Sequence, residues 1–146
     1  MYLNLLLLIV LLLGCSSNSE PLANNVKLKD CEIEEVLIKP VDFSVQTFIR
    51  VECDSFETYF DKKDVSARIT DNATIKEFAG EISKLEKDST GYHLDTRAKV
   101  IIVYNRGAND TLCIRKFSML LNGKEVKYSN ELKSLVLERV GHSTTK

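Results

Sequence analysis

The chain lacks the residues and motifs on which most enzymes and nucleic-acid-binding proteins depend. It has no tryptophan and two histidines among 146 residues, and 20 Lys and Arg stand against 21 Asp and Glu. This balance argues against nucleic acid as a partner, because such proteins need a clustered excess of basic side chains. His93 and His142 lie far apart in the chain and match no zinc or Ser/His/Asp pattern, and the glycines form no phosphate-binding loop. The sequence therefore predicts no catalytic residue, no metal site and no cofactor.

The one long hydrophobic run lies at the start of the chain. Residues 5–13 are all apolar, and nine residues cover only about 14 Å as a helix, well short of the roughly 30 Å of a bilayer core. The run ends at Gly14 and Cys15, and the polar Ser16 follows at once. A short apolar segment with a small residue before a polar continuation is typical of an export signal.

These residues resemble the lipobox of a bacterial lipoprotein precursor, with Leu12 three positions before the cysteine and Gly14 directly before it. The resemblance covers about the first 20 residues. It implies that residues 1–14 are a signal peptide, that signal peptidase II cuts before Cys15, and that the Cys15 thiol carries a diacylglyceryl group. The expected partner is then a lipid bilayer, because two or three acyl chains suffice for stable anchoring. Ser16 resembles the residue that follows the cysteine in outer-membrane lipoproteins of some bacteria, which implies a place at the outer membrane of the bacterial cell envelope.

The rest of the chain has the composition of one ordinary domain. Residues 15–30 are polar and without periodicity, so we expect a flexible tether after the lipidated cysteine. Residues 31–140 form the predicted domain, which is long enough to bury roughly two-thirds of its unfolded surface. Residues 141–146 are predicted to be a loose tail.

Alternating hydrophobicity predicts several strands in the first half of the domain. Residues 42–54 show it best, and residues 31–39 and 65–69 more weakly, while residues 55–60 extend the strand past a bend. In the best strand, apolar Phe43, Val45, Ile49, Val51 and Cys53, with Thr47, alternate with Ser44, Gln46, Phe48, Arg50, Glu52 and Asp54.

The second half combines two helices with further strands. A helix is predicted between the capping residue Asp71 and a stop at residues 89–91. A buried central strand over residues 96–105, a turn at residues 106–109 and a strand over residues 110–121 follow. The apolar stripe of the helix comprises Ile75, Phe78, Ala79, Ile82 and Leu85.

A hairpin and a last helix complete the predicted domain. Asn122 and Gly123 tolerate the positive φ of a type I′ turn and lead into residues 125–128. Asn130 is placed to cap a helix over residues 131–140. The fold class is therefore α+β: a mostly antiparallel sheet of about five to six strands, with two helices packed on one face.

Three cysteines remain for the domain if Cys15 carries lipid, so at most one intramolecular disulfide can form there. Cys31 with Cys53 is the preferred pairing, because a hairpin near Pro40 would bring the two together. Cys53 with Cys113, across the sheet, is the alternative. No Cys-x-x-Cys occurs, so we interpret these cysteines as structural.

Three further groups of side chains are candidate surface features. Phe56, Tyr59 and Phe60 form an aromatic segment that is a candidate contact surface, and packing of these rings in the core is the alternative interpretation. The sequences around Ser89 and Thr111 resemble the Asp-Ser/Thr-apolar sites at which one group of Gram-negative bacteria attaches sugars.

A group of acidic residues surrounds the aromatic segment. The stretch lacks the glycine of a calcium loop, so we interpret the group as a solvated strand edge. It comprises Glu52, Asp54, Glu57, Asp61 and Asp64.

The sequence as a whole favours a lipid-anchored envelope protein whose small domain is a binding module for an envelope protein or glycan. Two alternatives stay open. One is an inhibitor or immunity-type lipoprotein that neutralises a toxic enzyme in the periplasm. The other is an envelope hydrolase, which would need a deep pocket that holds Asp or Glu beside His93.

Overall fold

The structure is a computed structural model that describes residues 32–44, 46–60, 67–90 and 95–143. The predicted signal peptide and tether, with Cys15 and Cys31, lie outside the described residues, as do His93, Asp61 and Asp64. In these ranges the elements follow in the order β1 (Ile33–Pro40), α1 (Phe56–Tyr59), β2 (Ala67–Ile69), α2 (Asn72–Ser83), β3 (Thr96–Tyr104), β4 (Asn109–Arg115), β5 (Met119–Leu121), β6 (Lys124–Val126) and α3 (Asn130–Ser143).

The strands form one antiparallel sheet in the order β2-β1-β3-β4-β5-β6. The two long helices, α2 and α3, pack on one face of it, with α3 contacting both β1 and β2. The α+β class with its antiparallel sheet and two helices is thus confirmed. The segment before β3 also covers the outer edge of β6, where Lys127 N donates to the Glu86 carbonyl at 2.8 Å and Asp88 N to the Glu125 carbonyl at 3.1 Å.

The main core lies between the sheet and the two long helices. Every second residue of β3 points into it, which explains the nearly continuous apolar run of this central strand. The helices contribute one apolar stripe each. The largest fully buried side chains of this core are Phe78, Ile38, Ile82, Ile102, Leu112, Ile114, Met119 and Leu132.

Both long helices begin at side-chain caps. Thr74 N donates to the Asp71 carboxylate at 2.9 Å, as the sequence predicts for α2. In α3 the cap is Ser129, whose hydroxyl accepts from Leu132 N at 3.0 Å. The prediction that Asn130 caps this helix is therefore off by one residue.

Two predicted boundaries are wrong at the helix ends. Helix α2 ends at Ser83, several residues before the predicted stop at residues 89–91, and Leu85 packs into the core from the loop. Helix α3 continues to Ser143, three residues into the predicted loose tail. Apolar spacing fixes which side of a helix is buried but marks its end poorly.

The predicted strand over residues 42–54 is wrong, since the described part of it contains no strand. After Pro40 the Asp42 carboxylate accepts from Ser44 N at 2.8 Å, which closes a turn. The chain then crosses the end of the sheet: Phe43 packs against the main core, whereas Val51 and Cys53 are buried farther on. Alternating burial in an irregular segment produced the same pattern as a strand.

Two neighbouring predictions also need correction. Residues 55–60 do not extend a strand, because α1 lies there. Residues 110–121 are two strands, β4 and β5, which a tight turn joins with Arg115 N donating to the Ser118 carbonyl at 2.9 Å. The hairpin at Asn122 and Gly123 is confirmed, with φ of 51° and 75°.

Candidate functional site

The face of the sheet opposite the helices is covered by residues 51–60, which are the last part of the segment that follows β1. Its attachment begins at β3, where Val41 N donates to the Arg97 carbonyl at 2.7 Å and Thr96 N to the Val51 carbonyl at 2.9 Å. Between Val41 and Val51 the chain leaves the sheet and returns to it. The excursion forms a projecting loop at the end of the sheet where β3 begins.

Asp95 fixes both sides of this loop. Its carboxylate accepts from the Thr47 hydroxyl at 2.7 Å, from Val51 N at 2.9 Å and from Arg97 Nη2 at 2.9 Å. Burial alone would raise the pKa of Asp95, but the hydrogen bonds from Thr47 and Val51 and the charge of Arg97 lower it below its usual value. Asp95 therefore holds the loop as a carboxylate.

A disulfide between Cys53 and Cys113 ties the segment to the middle of the sheet, with the two Cα atoms 5.8 Å apart. It packs with Leu120 in a small second core. The preferred pairing of Cys31 with Cys53 is thus wrong, because the β1 hairpin on which it depended does not form, and the alternative pairing across the sheet is the one present. Both sulfurs are shielded, which suits a structural bond.

Helix α1 is held by a charged contact with the sheet. Lys39 and Lys99 face each other across β1 and β3, and Glu57 of α1 accepts from both, at 3.0 and 2.7 Å. Burial raises the pKa of Glu57, but the two lysines outweigh it and bring the pKa below its usual value. The single carboxylate offsets part of the repulsion between two like charges that would otherwise destabilise the sheet.

The loop clamped by Asp95 carries Phe48, the most exposed large apolar side chain of the described residues. Phe48 is fully exposed and Ile49 is 52% exposed. Phe117, 61% exposed, lies on the β4–β5 turn, and the turn reaches the same end of the sheet because Arg115 pairs with Thr96. We call Phe48, Ile49 and Phe117 the apolar tip.

Of the aromatic residues considered as a contact surface, Phe56 is buried and Tyr59 is exposed. Phe56 is 3% exposed and its ring packs on Phe60 with centroids 5.0 Å apart, so Phe56 is a core residue and not a contact residue. Tyr59 is 49% exposed. The sequence did carry a signal for the apolar tip, since Phe48 falls on the otherwise polar side of the predicted strand.

The structure also contains a surface cleft of about 480 Å³ between the end of α2 and the start of α3. Four of its charged lining residues form ion pairs: Lys84 contacts Glu81 at 2.6 Å, and Lys127 pairs with Glu86. The hydrogen bond from Lys127 lowers the pKa of Glu86, the opposite of what a general acid requires. Glu86 is therefore suited to an ion pair rather than to proton donation.

The two predicted glycosylation sites differ in their surroundings. Ser89 is exposed in a turn in which the Asp88 carboxylate accepts from Thr90 N at 3.0 Å. Thr111 is half-buried within β4, and its N–H donates to Asn122 Oδ1 at 2.8 Å. Both stay predictions.

The described residues contain neither a metal-binding group of side chains nor a membrane-spanning helix. No group of three or more His, Cys, Asp and Glu in residues 32–44, 46–60, 67–90 and 95–143 is arranged to hold a metal ion. In the same ranges no helix has both the length and the apolar character needed to cross a membrane.

Comparison with known proteins gave no relative for this chain. No protein-family model, curated protein or solved structure matches it.

Proposed function

We propose that this chain is a bacterial envelope lipoprotein whose domain is a binding module, anchored through Cys15 and contacting its partner with the apolar tip. The anchoring rests on the lipobox-like residues 12–15. The contact surface rests on one structural observation: Phe48, fully exposed, lies in a loop whose two sides are hydrogen-bonded to the same carboxylate.

The way in which the loop is held supports a binding role. Exposed apolar surface is unfavourable at roughly 25 cal/mol per Å², so a free loop would be expected to fold Phe48 against the domain. Asp95 and the Cys53–Cys113 disulfide instead attach this part of the chain to the sheet at Thr47, Val51 and Cys53. A group that is already ordered loses less conformational entropy when it binds, which favours affinity.

The contacts of Glu52 and Glu57 on this face are structural. Glu57 is occupied by Lys39 and Lys99, and Glu52 accepts from Arg115 Nη2 at 3.1 Å. These ion pairs hold the covering segment on the sheet. The proposal therefore assigns recognition to the apolar tip and assigns no catalytic residue.

Site-specific photocrosslinking in cells tests the contact surface. A photoreactive phenylalanine analogue replaces Phe48 in one variant and Leu137, which is 40% exposed on α3, in a matched control. We expect a discrete adduct, with protein or with lipid, from position 48 and none from position 137. Equal labelling at both positions would contradict the proposed surface.

A further inference from the structure

We infer that the apolar tip inserts into the interfacial layer of the bilayer that holds the Cys15 acyl chains, so that the domain contacts this membrane a second time. The inference rests on the proposed function and names the partner of the same surface. Its support comes from the shape of the tip and the charges around it, and the length of the chain before β1 is compatible with it.

The tip and the entry of the chain lie at opposite ends of the sheet. Asn105 N donates to the Glu32 carbonyl at 3.0 Å, which places the start of β1 beside the end of β3. The tip lies beside the start of β3, about 26 Å away along the eight residues of β1. Residues 16–31 can span at most about 55 Å, so the chain before β1 is long enough for the tip to face the anchoring bilayer.

The shape of the tip suits a lipid surface better than a rigid pocket. Phe48 and Ile49 project from one loop and Phe117 from a second loop. Lipid can close around such separate protrusions without a preformed cavity. Phenyl rings and aliphatic side chains in this setting favour the boundary between headgroups and acyl chains.

The charges around the tip favour a contact that is mainly apolar. Arg50 forms an ion pair with Glu52, and Lys116 lies 5.3 Å from the centre of the Phe117 ring. A basic cluster of the kind that binds anionic lipid is absent from these two loops. Lys116 can extend its ammonium to the headgroups while its stem stays beside the ring.

The lipid anchor makes a weak second contact sufficient. Tethering turns insertion of the tip into an intramolecular event at a high effective concentration. Three partly inserted side chains would then orient the domain on the membrane without having to recruit it. A small apolar tip is sufficient for this orienting role, because the acyl chains provide the anchoring.

Tryptophan fluorescence provides the test, since the chain has no tryptophan of its own. The Phe48→Trp, Phe117→Trp and Leu137→Trp variants of the full processed lipoprotein are reconstituted into phosphatidylethanolamine/phosphatidylglycerol vesicles that contain a nitroxide-labelled lipid. Position 137 on α3 is the control. We expect the lipid to quench the two tip reporters at least about two-fold more than the control, with little change at high salt.

The outcomes separate this inference from the proposed function. Intact mass is measured before reconstitution, and a protein without acyl mass would overturn both. An acylated protein whose two tip reporters are quenched no more than the control would overturn the inference alone, and quenching at only one of the two positions would overturn the two-loop surface. A photocrosslink from position 48 to a protein, without lipid quenching, would identify a protein pocket as the partner.

Discussion

Asp95 is the residue on which the presentation of the apolar tip depends most. Replacing it by asparagine keeps the size of the side chain but removes the charge that balances the buried Arg97 and weakens the hydrogen bonds from Thr47 and Val51. We expect Asp95→Asn to lower the free energy of unfolding by about 2 kcal/mol, as measured by urea denaturation. Asp88→Asn is the control, since Asp88 accepts from Thr90 in an exposed turn, and an equal loss in both would contradict the role of Asp95.

The same residue gives a pH dependence with a defined sign. The pKa of Asp95 is lower in the folded chain than its ordinary value of 3.8. Its contribution is therefore complete above that ordinary value and is lost as the pH falls through the lower folded pKa. The difference in stability between wild type and Asp95→Asn should be constant from pH 7 to 5 and shrink in more acidic solution.

Glu57 is the second residue whose contacts predict a measurable effect. Glu57→Gln leaves Lys39 and Lys99 facing each other across β1 and β3 without a neutralising charge. We expect a loss of about 1 kcal/mol in the free energy of unfolding, with partial recovery in the Glu57→Gln/Lys39→Met double variant. Glu35→Gln, which breaks an ion pair with the exposed Arg68, should cost less, and failure of the double variant to recover would contradict the like-charge explanation.

Residues of this kind could not be identified from the sequence. The acidic residues Glu52 and Glu57 belong to the group interpreted as a solvated strand edge, yet each accepts from a basic side chain of the sheet. The sequence gives no indication of the role of Asp95, because the two loop residues that it holds, Thr47 and Val51, lie more than forty residues away in sequence. Local sequence patterns predict secondary structure from neighbouring residues and do not predict contacts between distant parts of the chain.

Among the elements, the covering segment with α1 depends on its covalent link to β4. The Cys53–Cys113 disulfide closes a loop with a sequence separation of 60, which corresponds to about 4 kcal/mol in the chain-entropy model. We expect the Cys53→Ala/Cys113→Ala variant to lose stability of this order in urea denaturation. Its first sites of proteolysis should fall in residues 46–60.

Two comparisons make this prediction specific. Wild type in a reducing agent should resemble the double variant, since both lack the same bond. First cleavage within α2 or α3 would contradict the view that the covering segment is the element that the disulfide secures.

At the level of elements, the sequence predicts best where periodicity and burial coincide. The sequence pattern predicts helix α2 and strand β3 correctly because the apolar residues of both elements face one continuous core. The prediction of a strand over residues 42–54 is wrong because Phe43 is partly buried against the main core whereas Cys53 is buried in the small second core. The exposed Phe48, which made the pattern imperfect, is the residue that matters for recognition.

For the molecule as a whole, the sequence predicts the fold class but does not predict that the residues of the apolar tip lie at one end of the sheet. The α+β class followed from the order of the elements, since sheets and helices each need a partner for their apolar side. The apolar tip could not be assembled in this way, because Phe48 and Phe117 are far apart in the chain and share one end of the sheet only through the pairing of Thr96 with Arg115.

The most direct measurement of the central claim is the intact mass of the protein purified from bacterial membranes. We predict a chain that starts at Cys15, carries the mass of a diacylglyceryl group with or without an added amide-linked acyl chain, and changes after reduction as expected for one disulfide. Cys15→Ala should accumulate as the uncleaved precursor or as a product without lipid. A wild-type protein that keeps Met1, carries no acyl mass and stays out of the membrane fraction would contradict the account.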